Sequence, residues 1–250
     1  MRILFLLVVL SVTSALQSQV VIKENAIQSK YAFPLVTSKA KAVVVYDTDD
    51  YLVVRKTAEL FVSDVESVTG QQLRLTDKLK GDKEIIIGTV EKNRLIRQLA
   101  EKGKLDISSL EGTWERFLIQ TVSRPFPGVS KALVVAGSDR RGAAYGLFSL
   151  SEMMGVSPWY WWADVPVKKH KTLYVDAPAT LSKTPSVKYR GIFLNDEDWG
   201  LKPWAAKTFE KERGNIGPRT YAKICELLLR LKANHLAPAC LLYTSPSPRD

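Results

Sequence analysis

The feature that most constrains the fold is a repeated alternation of β-branched runs with segments of helical periodicity. Val43 to Tyr46 is a short apolar run typical of a buried strand. A helix is predicted to start at Asp49 or Asp50 and to stop at Gly70. The same patterns recur and predict strands at 84–87, 117–121 and 132–136, and helices at 93–100 and 140–155. This alternation implies an α/β domain with parallel pairing, which we place at residues 20–180.

A second unit is predicted after a proline-containing link at residues 177–185. Lys188 to Leu194 predicts a strand, Asn195 to Asp198 follows it as a polar and acidic segment, and residues 220–233 predict a helix. Strand, acidic loop and helix are how a (β/α)8 barrel begins, and catalytic residues lie at the carboxyl ends of its strands. A closed barrel takes roughly 250 residues, so residues 186–239 predict only the first β/α unit of a truncated barrel.

A dense group of aromatic residues precedes this link. Three of the six tryptophans, Trp159, Trp161 and Trp162, lie between Pro158 and Asp164. An indole can stack on the C–H face of a pyranose, and it can equally fill the space between two packed layers. The local sequence leaves both interpretations open.

The first 15 residues are predicted to be a signal peptide. Arg2 precedes the apolar run Ile3 to Leu10, and Thr13 to Ala15 offers a small-residue cleavage pattern. The run is too short to span a bilayer. We therefore expect a secreted or periplasmic protein with no membrane partner.

The remaining composition excludes several classes of site. The net charge is +10, but the lysines are dispersed and no basic run is interleaved with aromatics, so we expect no nucleic-acid partner. With two histidines and two cysteines, the chain predicts no metal site and no cofactor. The turn from Gly137 to Gly142 lacks a dinucleotide-binding pattern, which favours Asp139 as a helix cap.

Three segments carry a resemblance to a known family. Residues 137–166, Tyr189 to Glu197 and Glu226 to Asn234 resemble glycoside hydrolase family 115, the xylan α-1,2-glucuronidases, within a match spanning residues 25–239. The resemblance implies an N-terminal α/β domain joined to a catalytic barrel. It also implies inverting removal of glucuronic acid, or its 4-O-methyl form, from xylan by two carboxyl groups.

The resemblance also implies a set of site residues. The principal acid and base are expected on later strands and are not assigned, with Asp196 and Glu197 as supporting catalytic candidates. Residues expected at the substrate are Trp161, Trp162, Arg190, Asn195, Asp196 and Glu197. Glucuronoxylan is the expected partner, and the full-length protein is expected to form a homodimer.

Residues 240–250 depart from the family pattern and are interpreted as a non-native tail. We therefore expect this chain to be a fragment that is inactive alone. Two alternatives remain open: another barrel glycosidase resembling the β-hexosaminidases, and a non-catalytic carbohydrate-binding protein. The acidic segment after Leu194 is also compatible with a solvated turn.

Overall fold

The predicted alternation builds a six-stranded sheet in the computed structural model, which describes residues 19–195 and 200–238. Its strands, in spatial order, are β4 (Arg74–Thr76), β3 (Val43–Val45), β5 (Lys83–Thr89), β7 (Lys131–Gly137), β6 (Phe117–Ser123) and β9 (Thr180–Leu181). The first four pair in parallel, whereas β6 runs antiparallel to both β7 and β9. The predicted mixed α/β fold is confirmed.

Helices cover both faces of this sheet. Ile85 and Ile87 of β5 join the core formed with α1 (Leu52–Thr69) and α3 (Arg140–Met153). Ile86 points to the other face and joins the core formed with α2 (Arg94–Glu101). Alternating side chains of one strand therefore fill two cores, as expected for a parallel sheet covered on both sides.

The helix termini test the capping predictions. Asp139 caps α3, since its side chain accepts hydrogen bonds from the backbone of Arg141 and Gly142 at 2.9 and 2.8 Å. The predicted start of α1 at an aspartate is wrong. Asp50 instead accepts hydrogen bonds from the backbone and hydroxyl of Thr89, 39 residues away, so its carboxylate ties β5 to the loop.

A second, antiparallel sheet was not predicted. It has the order β1 (Val21–Lys23), β8 (Leu173–Asp176) and β2 (Ala32–Val36). Phe33 and Val175 are fully buried in the same core as α1 and α3. These strands connect the two ends of the N-terminal region to its main core.

The C-terminal region forms a β–α–β unit. Strands β10 (Gly191–Leu194) and β11 (His235–Pro238) pair in parallel and are joined through α4 (Leu201–Trp204), a π-helical turn (Ala205–Phe209) and α5 (Pro218–Arg230). The sequence predicts β10 with an earlier start at Lys188, predicts α5 two to three residues too late in the chain, and misses β11. Helix α5 ends at Arg230, before the predicted Ala233, and Lys232 adopts a left-handed φ of 56° that turns the chain toward β11.

Several predictions fall outside the described residues. These are the signal peptide at 1–15, Asp196 and Glu197, and the tail at 240–250. Within residues 19–195 and 200–238, no helix is long and apolar enough to cross a bilayer. Across the same residues, no group of three or more acidic, histidine or cysteine side chains could hold a metal ion.

Candidate functional site

Four aromatic side chains from both regions form one group, here called the aromatic cluster: Trp161, Trp162, Trp204 and Phe209. The Trp161 ring centroid lies 4.8 Å from that of Trp162, 5.8 Å from that of Trp204 and 5.0 Å from that of Phe209, each in an edge-on arrangement. Trp204 and Phe209 are stacked, with centroids 5.5 Å apart. The predicted tryptophan pair therefore meets a second aromatic pair from the loop after β10.

Helix α5 orients the aromatic cluster. The indole nitrogen of Trp162 donates a hydrogen bond to the Lys223 carbonyl at 3.3 Å. The Lys223 ammonium lies 5.3 Å from the Trp161 ring centroid, and the Arg219 guanidinium lies 4.7 Å from that of Phe209. These cation–π contacts hold the rings at the amino-terminal half of α5.

This position places the aromatic cluster beside the carboxyl end of β10. Trp162 packs with an apolar group that includes Leu194, the last residue of β10, and Ile224 of α5. Asn195 follows directly and is exposed. The structure thus brings Trp161, Trp162 and Asn195 to one end of the β–α–β unit.

Arg190 lies at the other end of the unit. Its side chain donates to the Lys232 carbonyl at 3.0 Å and to the Val187 carbonyl at 2.7 Å, and it forms an ion pair with Glu115. Arg190 immediately precedes β10, so it is separated from Asn195 by the length of the strand. The structure does not bring it together with the predicted tryptophans.

Glu115 is the centre of this second contact between the regions. Its carboxylate is buried and also accepts hydrogen bonds from Arg141 at 2.5 Å and from the amide of Asn234 at 2.7 Å. Burial opposes ionisation, but the hydrogen bonds from Asn234, Arg190 and Arg141 outweigh it, so the pKa of Glu115 lies below its usual value. The Glu115 carboxylate is therefore ionised at neutral pH and binds Arg141, Arg190 and Asn234 together.

A third contact lies between these two ends. The guanidinium of Arg230, on α5, donates to both carboxylate oxygens of Asp64, on α1, at 2.8 and 2.9 Å. It also donates to Glu226 at 2.9 Å, and all three side chains are buried. The hydroxyl of Tyr160 donates to Glu226 at 2.9 Å. Buried charge pairs thus join the N-terminal region to α5.

Sequence reasoning missed several residues of these contacts. Trp204 and Phe209 are separated by five positions, and only the π-helical turn stacks their rings. Glu115 lies between Trp114 and Arg116 in no recognisable motif, and its partners lie 26, 75 and 119 residues away. A local pattern could have drawn attention to Trp204 as a tryptophan near the acidic segment, but nothing local marks Glu115.

Two family models match the chain. The model for glycosyl hydrolase family 115 matches residues 182–247, and the model for the glycosyl hydrolase family 67 N-terminus matches residues 25–150. The β10–α5–β11 unit falls within the first match and most of the six-stranded sheet within the second. No curated protein matches the chain.

Solved structures give a more detailed comparison. A family GH115 4-O-methyl-α-glucuronidase, BtGH115A, with specificity for decorated arabinogalactans, is 38% identical with a TM-score of 0.69. The match covers 82% of this chain but 26% of that chain, so the sequence spans about a quarter of that relative. An N-acetyl-β-hexosaminidase from Streptomyces plicatus is 12% identical with a TM-score of 0.43, over 86% of this chain and 32% of that chain.

Proposed function

Because this chain belongs to glycosyl hydrolase family 115, we propose that it is part of a secreted enzyme that removes glucuronic acid, or its 4-O-methyl form, from polysaccharide side branches. The observation that carries this proposal is the 38% identity to a 4-O-methyl-α-glucuronidase across 82% of the chain. The match to the family 67 N-terminal model over residues 25–150 supports the same class of glycosidase.

In this proposal, β10, α5 and β11 are the first unit of a (β/α)8 barrel. The two strands pair in parallel around a connecting helix, as neighbouring barrel strands do. Parallel sheets are normally covered on both faces, yet Phe193 of β10 is 71% exposed. The exposed side of this pair is therefore where we place the other barrel strands.

The proposed sugar subsite lies at the carboxyl ends of these strands. Trp161 and Trp162 form one wall, and Asn195, with Asp196 and Glu197, borders it. An indole face and nearby polar groups suit a pyranose with hydroxyl and carboxylate substituents. The contacts of Arg190 favour a role in joining the two regions rather than in binding the uronate.

The proposed reaction inverts the anomeric carbon. A carboxylic acid protonates the leaving oxygen, and a carboxylate activates water on the opposite face of the sugar. Asp196 and Glu197 are supporting candidates in this scheme, and the principal acid and base belong to later strands. The residues 19–195 and 200–238 then supply one wall of the subsite and the scaffold behind it.

Two polysaccharides are compatible with this site, because the recognised group is the uronic-acid branch. Glucuronoxylan is our proposed substrate, whereas BtGH115A has specificity for decorated arabinogalactans. The test begins with sequencing the gene beyond the Ala239 codon and expressing the full-length product. Release of 4-O-methylglucuronic acid from each polysaccharide is then measured by chromatography, and the anomer formed first is identified by NMR.

We expect the full-length protein to release β-configured uronic acid and the 250-residue chain alone to release none. Hydrolysis of aryl hexosaminides without release of uronic acid would contradict the proposed function. Binding of xylan that is unaffected by replacing Asp196 and Glu197, without any hydrolysis, would indicate a carbohydrate-binding protein instead.

A further inference from the structure

Glu210 lies in the connection between β10 and α5 and is 2% exposed. One of its carboxylate oxygens accepts hydrogen bonds from the backbone of Gly217 at 3.0 Å and of Thr220 at 2.9 Å, and from the Thr220 hydroxyl at 2.5 Å. The other accepts from the backbone of Arg219 at 3.2 Å. A single buried carboxylate therefore holds four donors at the start of α5.

These contacts bring together two parts of the loop that are distant in sequence. Glu210 directly follows the π-helical turn that carries Phe209 and that Trp204 precedes. A β-carbon added at Gly217 would lie 2.5 Å from Glu210 Oε1, so the carboxylate packs directly against the backbone there. The position of the aromatic pair is thus tied to the amino end of α5.

The electrostatics favour an ionised carboxylate at this position. Unpaired N–H groups and the helix dipole make the amino end of a helix attractive to a negative charge. Burial opposes ionisation of Glu210, but hydrogen bonds from Thr220, Arg219 and Gly217 outweigh it and hold its pKa below the usual value. Glu210 occupies the donors that a bound anion would otherwise use at this helix end.

We propose that Glu210 is a positioning residue for the glycan site, and that it holds Trp204 and Phe209 as a second aromatic wall beside Trp161. The role assigned to this wall rests on the proposed function. Trp161 comes from the N-terminal region, whereas Trp204 and Phe209 come from the loop after β10. In this proposal, Glu210 completes the wall by fixing that loop against α5.

The test compares Glu210→Gln with Glu212→Gln. Both variants remove one negative charge from the same loop, but the Glu212 side chain is 64% exposed and pairs with the Arg219 side chain at 2.8 Å. For Glu210→Gln we expect altered near-ultraviolet circular dichroism of the indoles, with far-ultraviolet spectra unchanged. We also expect two- to tenfold weaker binding of 4-O-methylglucuronoxylo-oligosaccharides, the range that loss of an aromatic contact gives. The amide oxygen of Glu212→Gln can still accept a hydrogen bond from Arg219, which lies over the Phe209 ring, so this variant should change neither.

Glu210→Gln could instead lower the melting temperature without changing the indole spectra or oligosaccharide binding. That result would overturn the positioning role and show that Glu210 only caps α5. If the wild-type chain binds chito-oligosaccharides but no glucuronoxylo-oligosaccharides, and Glu210→Gln weakens that binding, the proposed function fails and the positioning role stands. If indole spectra change but the variant binds glucuronoxylo-oligosaccharides as tightly as the wild type, the second wall is refuted.

Discussion

The central strands β5 and β7 and the pair β10–β11 are both parallel sheets, but they are stabilised in different ways. Helices cover both faces of β5, and Ile85, Ile86 and Ile87 are fully buried. In the second pair, Phe193 is 71% exposed. Buried ion pairs and aromatic contacts attach that unit to the N-terminal region instead. The N-terminal region thus has a large apolar core, whereas the C-terminal unit has a small one around Ile224 and Leu228 and is joined to the N-terminal region by these contacts.

The largest expected effect comes from the apolar core. Phe61 is fully buried on α1, so Phe61→Ala should lower the free energy of unfolding by about 3–5 kcal/mol. The matched control is Phe193→Ala, which should change it by less than about 0.5 kcal/mol because that side chain is exposed. Chemical denaturation of both variants checks the comparison, and equal effects would show that β10 is covered in solution.

A slightly smaller loss of stability is expected when the buried ion pairs of Arg230 with Asp64 and Glu226 are removed. Arg230→Ala would leave Asp64 and Glu226 buried without their shared cation, and such losses cost about 3–5 kcal/mol. Lys223, which contacts Glu226 at 2.9 Å, partly compensates. We expect hydrogen exchange to increase in α5 and β11 but not in β5. A uniform increase across both regions would show that they unfold as one unit.

Acid should weaken the contact at the amino ends of β10 and β11. In the folded protein the pKa of Glu115 is below the ordinary glutamate value of 4.5, so its stabilisation is fully present above that pH. The stabilisation is lost as the pH falls from about 4.5 through the folded pKa, where the native carboxylate protonates. Glu115→Gln should lower stability at pH 7 by about 1–3 kcal/mol and flatten the dependence below pH 5. Melting temperatures between pH 3 and 7 measure both, and an unchanged acid dependence would contradict this role.

At the aromatic cluster, we expect a substitution to reduce turnover more than it reduces stability. Trp162 is half-buried, so in the full-length protein Trp162→Ala should cost less than the 3–5 kcal/mol typical of a buried aromatic. Turnover of glucuronoxylan should fall by a larger factor than the loss of folded protein alone would cause. A large drop in melting temperature with unchanged specific activity would instead make the tryptophan a packing residue.

Local sequence patterns predicted the parts of the fold whose burial is regular. Strands β5 and β7 are apolar on both faces, and Asp139 lies at a helix start, so each carries its own signal. Strands β1, β2 and β8 are short, with at most three buried residues each, and their pairing spans more than a hundred residues. No local pattern predicts the antiparallel direction of β6, because it depends on the strands with which β6 pairs. The same holds for the hydrogen bonds that Thr89 donates to Asp50.

In the candidate site, too, some residues are predicted by local sequence and others depend on distant partners. Trp161 and Trp162 stand out because they are adjacent in an aromatic run, and Asn195 because it follows a predicted strand. The pairing of Trp204 with Phe209 could not be recognised from the sequence, because the π-helical turn brings their rings together. Glu210 could not be recognised because its partners lie where the loop returns to α5. The motif makes Arg190 a candidate for the substrate or for pairing with an acidic group, and in the structure its side chain pairs with Glu115.

The pairing of Arg230 with Asp64 also has a consequence for synthesis on the ribosome. The two residues are 166 positions apart, and Asp64 lies in a region that is complete before α5 emerges. Domains generally fold in order from the amino terminus during translation, so we expect a finished sheet to present Asp64 and Tyr160 to the nascent helix. The N-terminal region would then act as a template onto which α5 packs as that helix leaves the exit tunnel.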